Sequence, residues 1–142
     1  MAELESWTAN AEPGVRFFSG TATYRIAFEA PRSWFGAQAR LLLDLGAVRD
    51  LAEVTLNGQR LSILWKPPYE LNVTGVLRPG TNRLEVQVTN QWTNRQLGDR
   101  SLPPEQKILT PIRSFFPDPA EPPPSGLLGP VTLVALPTAA PR

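Results

Sequence analysis

Proline is the feature of this sequence that most restricts its fold. It occupies 16 of the 142 positions, roughly 11 %, which is about twice the usual share. Inside a helix, proline removes a hydrogen-bond donor and clashes with the preceding turn, so it is confined mainly to turns, strand edges and helix starts. With this share of proline, the sequence excludes a bundle of long helices.

The sequence also lacks the side chains that most often carry catalysis or bind transition metals. It contains no cysteine and no histidine, which excludes disulfides, thiolate nucleophiles, Ser-His-Asp triads and imidazole ligands. Any metal would need oxygen ligands, as Ca²⁺ does, and the chain has no D-x-D-x-D-G loop. A structural Ca²⁺ held partly by backbone carbonyls stays open, and no other cofactor is expected.

Charge and hydropathy limit the partners. Lys and Arg number 14 against 13 Asp and Glu, a net charge of +1, so we expect no binding to nucleic acid or to an anionic membrane surface. No run approaches the ~20 apolar residues of a membrane span. Residues 1–10 lack the apolar stretch of a signal peptide. The localisation stays open, with a secreted or periplasmic bacterial parent protein as one alternative.

Alternating apolar and polar residues predict a series of short strands. The clearest alternation covers 82–90, where every second residue from Leu84 to Val88 is apolar. The same period predicts a half-buried strand over 22–29. A hairpin is predicted over 51–64, because its Asn57-Gly58 dipeptide is typical of a two-residue turn. The apolar run 40–46 predicts a strand that is buried on both faces.

The second half of the chain is less regular. No long periodic run occurs over 91–130, and such a stretch within one domain is usually functional or disordered. Residues 108–116 are apolar enough to pack, 118–125 are typical of polyproline II, and 127–136 predict a last strand in a central position. Seven or eight short strands without a long helix predict an all-β jelly-roll sandwich, formed as a single module by residues 1–142.

Two loops hold the side chains best suited to bind a ligand. These loops follow the hairpin 51–64 and the strand 82–90, and they combine aromatic rings with amide, guanidinium and carboxylate groups. Sugar rings present C–H faces that pack on aromatic rings, and hydroxyls that hydrogen-bond to such polar groups. The candidate carbohydrate-binding residues are therefore Trp65, Tyr69, Trp92, Asn94, Arg95 and Asp99.

Each candidate also has a structural alternative. Trp and Tyr of an all-β domain more often fill the core than contact a ligand, and Arg95 with Asp99 can form an ion pair that only fixes a loop. Glycoside hydrolysis by Asp99 and Glu105 would need two carboxylates about 5 to 9.5 Å apart across one bond. Their spacing in the sequence fixes no such pair, so no catalytic residue is assigned.

Several runs of the sequence match a known pattern in both content and order. They are Glu12–Tyr24, with Phe-Ser-Gly-Thr-Ala-Thr-Tyr at its end, Leu43–Gly46, Ala52–Gly58, Leu64-Trp-Lys-Pro-Pro-Tyr69, Asn72–Thr74, Leu77–Asn82, Leu84–Asn90 and Trp92–Asp99, which contains Asn-Arg-x-x-Gly-Asp. Together they resemble the galactose-binding-like β-sandwich modules of glycoside hydrolases over about residues 12–136. The similarity is closer to the C-terminal module of family 106 α-L-rhamnosidases than to the sugar-binding domain of family 2.

The resemblance implies a galactose-binding-like jelly roll that serves as a non-catalytic, carbohydrate-binding accessory module. The catalytic acids of such hydrolases lie in a separate barrel, and a barrel alone needs roughly 250 residues. Asn72 departs from the pattern, since family 2 modules usually have Asp there. The alternative is a structural module that packs on a glycoside hydrolase catalytic domain and has no sugar site of its own. The expected partners are thus a carbohydrate or a catalytic domain.

Overall fold

The computed structural model describes residues 4–36, 39–109 and 121–137, and within these ranges the chain is built mainly from strands. The strands are β1 Thr21–Ala30, β2 Ala39–Asp44, β3 Ala47–Arg49, β4 Leu51–Leu56, β5 Gln59–Leu64, β6 Glu70–Asn72, β7 Gly80–Thr89, β8 Gly126–Gly129 and β9 Thr132–Pro137. The α-helices are α1 Pro13–Arg16 and α2 Thr93–Arg100, and the 3₁₀ turns are Trp7–Ala9, Arg32–Trp34 and Pro104–Gln106. The all-β prediction is confirmed.

The named strands pair antiparallel in sheets of four, three and two strands within the described ranges. The strand orders are β1-β7-β4-β5, β6-β2-β9 and β3-β8. The hairpin over 51–64 is confirmed as β4 and β5. Its turn places Asn57 at a φ of 53° and Gly58 at 80°, the left-handed backbone region that a two-residue hairpin turn requires.

One hydrophobic core lies between the sheets. The alternation predicted over 82–90 is confirmed, because Val86 and Val88 of β7 are buried together with Val54 of β4. Leu41 and Leu43 of β2 join the same core from the three-stranded sheet. The other face of β2 is only half-buried, so the prediction that 40–46 is buried on both faces is wrong.

Two further predictions about strand burial are wrong because of where the sheets end. β1 is an outer strand of the four-stranded sheet, so Ile26, expected on its buried face, is 43 % exposed.

The run 127–136, predicted as one central strand, is divided into two strands. Pro130 cannot donate a ladder hydrogen bond, and the chain forms β8 before it and β9 after it. β9 lies at an edge of its sheet as described, with Val134 and Leu136 exposed.

The N-terminal segment is tied to the segment that leads into β8. The Trp7 backbone N–H donates to Ser125 O (3.0 Å), and the Ser125 N–H donates to Ser6 Oγ (2.9 Å). The Trp7 indole Nε1–H donates to the Tyr24 hydroxyl (2.6 Å), which also accepts from the Leu127 N–H (3.1 Å). We call these five residues the terminal clasp. It joins parts of the chain that are far apart in sequence.

Within the described ranges, no helix combines the length and the hydropathy needed to cross a membrane. Ile108, the first residue of the run predicted to pack, is 72 % exposed. The predictions for 110–116, for 118–120 and for the tail beyond 137 lie outside the described residues.

Candidate functional site

Trp65 and Trp92 leave the four-stranded sheet at the same end. β5 and β7 both finish beside the first residues of β4, one on each side of it. Neighbouring strands are about 4.8 Å apart, so the ends of β5 and β7 are roughly 10 Å apart. We call this end of the sheet, where Trp65, Lys66 and Trp92 follow the two strands, the tryptophan end. The register of the sheet therefore brings together two loops that the sequence could only propose separately.

Trp65 follows β5 directly, and 69 % of its surface is exposed. The ammonium Nζ of Lys66 lies 5.2 Å from the centroid of the Trp65 ring system, which is a cation–π arrangement. Pro67 and Pro68 come next and restrict the backbone of the loop. The loop thus presents an apolar ring beside a hydrogen-bond donor. Lys66 was not among the predicted residues, and its only signal in the sequence is its position beside Trp65.

Trp92 is also 69 % exposed and stands immediately before α2, where its carbonyl accepts from the Gln96 N–H (3.0 Å). The hydroxyl of Ser19 accepts from the Arg95 N–H (2.9 Å) and donates to the Gln91 carbonyl (2.9 Å). The start of α2 is therefore fixed to the segment before β1. Trp92 is presented from an anchored helix end rather than from the predicted irregular loop.

The placement of Tyr69 does not support its predicted role as a ligand-binding residue. Its side chain is buried and belongs to the hydrophobic core. Its hydroxyl donates to the backbone carbonyl of Asp50 (2.9 Å), which fixes the start of β4 against the loop that follows β5. The structural alternative, a core aromatic with a satisfied hydroxyl, describes Tyr69.

Asn94 is also turned inward, on the buried side of α2. Its amide donates to the Ser125 hydroxyl (2.9 Å), and the amide of Asn90 donates to the same oxygen (3.2 Å). Asn90 further donates to the Phe18 carbonyl (2.8 Å) and accepts from the Gly20 N–H (2.9 Å). These buried hydrogen bonds join α2, the end of β7 and the segment before β1, so Asn94 supports the fold.

Asp99 is held by donors on both carboxylate oxygens and is only 4 % exposed. Oδ1 accepts from Nε of Arg95 (2.8 Å) and Oδ2 accepts from the N–H groups of Leu109 (2.8 Å) and Ile108 (3.1 Å). Burial opposes the ionised form, but the Leu109 N–H and the Arg95 guanidinium outweigh it and hold the pKa of Asp99 below its ordinary value of 3.8. Arg95 and Asp99 thus form the fixing ion pair that the sequence left as an alternative.

This arrangement does not suit Asp99 for acid catalysis. A general acid needs a raised pKa and a proton to give, whereas Asp99 is ionised and fully engaged. Glu105 is exposed in the 3₁₀ turn Pro104–Gln106. Within the described residues, no group of three acidic side chains is placed to hold a metal ion. Of the six predicted residues, Trp65 and Trp92 are exposed, and the other four are buried or half-buried.

Comparison with known proteins agrees with the fold. The family profile "Glycosyl hydrolase 2 galactose-binding domain-like" matches residues 7–115. The rhamnosidase from Novosphingobium sp. PP1Y superposes with a TM-score of 0.84 at 40 % identity, over 96 % of this chain and 13 % of that chain. The Bifidobacterium dentium beta-glucuronidase superposes with a TM-score of 0.55 at 34 % identity, over 63 % of this chain and 14 % of that one.

A protein of Formosa agariphila named "Putative beta-glucuronidase" is 43 % identical over 116 residues, which are 82 % of this chain and 10 % of that protein. The chain therefore spans only about a tenth of that relative's length and 13 % of the rhamnosidase. The family match covers most of the chain, and the resemblance inferred from the sequence runs is confirmed. This chain belongs to the glycosyl hydrolase 2 galactose-binding domain-like family.

Proposed function

We propose that residues 1–142 form one non-catalytic accessory module of a rhamnosidase- or glucuronidase-like glycoside hydrolase, and that the tryptophan end binds carbohydrate. One observation carries this proposal. Two indoles, each 69 % exposed, emerge from the same end of a rigid sheet. Exposed indoles on anchored backbone are unusual, because burial of a large apolar side chain stabilises the folded state by about 1.5–3 kcal/mol.

The chemistry of the tryptophan end fits a saccharide. The C–H face of a pyranose ring packs on an indole, and the spacing of roughly 10 Å between the two strand ends allows contact with two neighbouring sugar units. The Lys66 ammonium beside Trp65 supplies donors for ring hydroxyls. The proposal uses Trp65, Lys66 and Trp92 as contact residues. Tyr69, Asn94, Arg95 and Asp99 instead hold the loops that carry them.

Calorimetry and tryptophan fluorescence test the proposal. The 142-residue chain is titrated with rhamnose-, galactose- and glucuronate-containing oligosaccharides, in the presence and absence of Ca²⁺. We expect heat and a change in indole emission with at least one of them. Trp65→Ala and Trp92→Ala should each weaken binding by about tenfold, since a central aromatic contact contributes more than 1 kcal/mol.

Ile63→Ala is the matched control. Ile63 is an exposed apolar residue of β5, two positions before Trp65, and its loss should leave the affinity unchanged. Absence of heat and of any fluorescence change across the whole panel would contradict carbohydrate binding. Equal affinities for wild type and both tryptophan variants would remove the tryptophan end from the site.

A second candidate function is favoured by the size of the relatives. The matched rhamnosidase and the Formosa protein contain far more chain than this module. In such a protein, Trp65 and Trp92 would serve as anchors against a catalytic domain, as exposed aromatic residues often do. Sedimentation velocity separates the two functions. An uncovered docking surface should self-associate as concentration rises and should stop doing so in the Trp65→Ala/Trp92→Ala variant, whereas a saccharide site stays monomeric in both.

A further inference from the structure

A second surface with binding chemistry lies at the opposite end of the four-stranded sheet. It is an open groove of about 980 Å³ on strands β1, β7 and β4 and on the turn before β7. The groove begins near the Asn57-Gly58 turn, at the far end of β4 from the tryptophan end. A strand of six residues spans about 20 Å, so the two surfaces are separate.

The groove is lined by rows of side chains, most of them polar, that run across the strands. One row consists of Arg25, Glu85 and Thr55, and the next consists of Ala27, Arg83 and Asn57. The side chains of Arg25, Glu85, Thr55 and Arg83 point outward because the alternate residues of the same strands fill the core, whereas the Asn57 amide turns towards the buried Asn82. Ala27 and Thr55 are short, so the groove has a low floor between longer side chains.

The arginines of the groove differ in whether a carboxylate pairs with them. Nε of Arg25 donates to Glu85 (2.7 Å), and this bond lowers the pKa of Glu85, which is ionised at neutral pH. Arg78 and Arg83 are exposed, and neither guanidinium has a carboxylate partner within 4 Å among the described residues. These two guanidinium groups of the groove thus have no counter-ion in the part of the chain that the structure describes.

Two asparagine amides, one of them fully buried, hold the backbone that carries these two arginines. Asn82 is fully buried, accepts from the Arg78 N–H (3.0 Å) and donates to the Arg78 carbonyl (2.7 Å). Asn57 donates to Asn82 Oδ1 (2.8 Å) and accepts from the Arg83 N–H (2.9 Å). One network of two asparagines therefore fixes both positions, which lowers the entropic cost of forming a site.

We propose that this groove binds the carboxylate of an acidic saccharide, with Arg78 and Arg83 as its donors. Guanidinium groups match carboxylates in planar, two-point hydrogen bonds. For the sugar hydroxyls, the ionised Glu85 supplies acceptors and the Thr55 hydroxyl a donor and an acceptor, while the Thr81 hydroxyl, which donates to Glu29, remains an acceptor. The net charge of +1 gives no footprint for nucleic acid. The site is independent of the tryptophan end.

Titration of the 142-residue chain with trigalacturonic acid tests the proposal, with the carboxyl-reduced trisaccharide as the uncharged comparison. We expect the acid to bind and the reduced sugar to bind at least about tenfold more weakly. Arg78→Ala and Arg83→Ala should each weaken acid binding by about tenfold. Arg83→Lys should recover only part of it, because an ammonium keeps the charge and loses the planar fork.

Arg32→Ala and the Trp65→Ala/Trp92→Ala variant are the controls. The first removes one exposed positive charge elsewhere, and the second removes the tryptophan end; both should bind the acid as wild type does. The proposal is overturned if the reduced sugar binds as well as the acid, if Arg78→Ala and Arg83→Ala bind normally, or if acid binding disappears with the two tryptophans. Chemical shifts of the arginine Nε–H groups provide a second readout, and unchanged shifts on saturation with the acid would equally overturn it.

Discussion

Asp99 illustrates at the residue scale why polar loop residues are hard to assign from sequence. Its pairing with Arg95 was weighed only as an ion pair that fixes a loop, because the helix that brings residues four apart face to face was not predicted. Its hydrogen bonds from the N–H groups of Ile108 and Leu109 could not be predicted from the sequence, since they depend on the path of the irregular segment after α2. Both tryptophans were predicted to lie in loops; Trp65 does, whereas Trp92 stands at the start of α2. Only the sheet register shows that the strands before them finish at the same end.

Replacing Asp99 tests its structural role. Asp99→Asn removes the charge that Arg95 faces and puts an amide where two N–H groups donate, so we expect a loss of about 2–4 kcal/mol in the free energy of unfolding. Urea denaturation at pH 7 measures it. Glu105→Gln, at an exposed carboxylate nearby, should unfold as wild type does, and an equally stable Asp99→Asn would contradict the role.

Because the pKa of Asp99 is lowered, its contribution to the free energy of unfolding depends on pH. Because the folded pKa lies below the unfolded value near 3.8, the contribution is complete above about pH 4 and is lost as pH falls through the folded pKa. The stability gap between wild type and Asp99→Asn should therefore narrow in denaturation curves recorded at pH 3. A gap that widens on acidification would show that another group is responsible.

At the scale of the element, the strands were predictable and α2 was not. The hairpin over 51–64 and the strand over 82–90 carry strict alternation and a turn dipeptide, which local sequence encodes. α2 has eight residues and includes Gly98, too few for a helical period to stand out. It forms because its buried side packs on the segment before β1, where Gly98 lies against Phe17.

Gly98→Ala separates helix propensity from packing. In an open helix the change would stabilise by about 1 kcal/mol, but here the new Cβ would lie 2.7 Å from Cβ of Phe17. We expect a net loss of about 1–3 kcal/mol from the overpacking, measured by thermal or urea unfolding. Gly14→Ala in α1 is the control, since its Cβ would come no closer than 3.8 Å to Glu12. A stabilised Gly98→Ala would mean that Phe17 moves away freely.

For the whole molecule, the sequence predicted the class of fold and not the order of its strands. Apolar residues on both sides of 127–136 suggested a central strand, yet β9 is at an edge in the described structure and its outer residues are exposed. Edge and centre positions depend on pairing between distant segments, which a single sequence pattern does not encode. The terminal clasp was likewise invisible, because it joins residues 119 positions apart.

Tyr24→Phe tests whether the terminal clasp stabilises the whole module. The change keeps the ring and removes the hydroxyl that accepts from Trp7 and from Leu127, so two partly buried donors lose their partner. We expect a loss of about 1–3 kcal/mol in the free energy of unfolding and faster exchange of the Leu127 amide hydrogen. Thr21→Val, which removes an exposed hydroxyl pair with Thr89, should change stability little. Unaltered exchange at Leu127 in Tyr24→Phe would contradict the role of the clasp.

The terminal clasp also determines when the module can finish folding during translation. A ribosome synthesises Ser6 and Trp7 well before their partner Ser125, which follows Ser6 by 119 positions. Until then Trp7 has neither its backbone anchor nor the neighbouring β8. Within the module, the segment before β1 is thus secured late, and translation must pass residue 125 before the module can close.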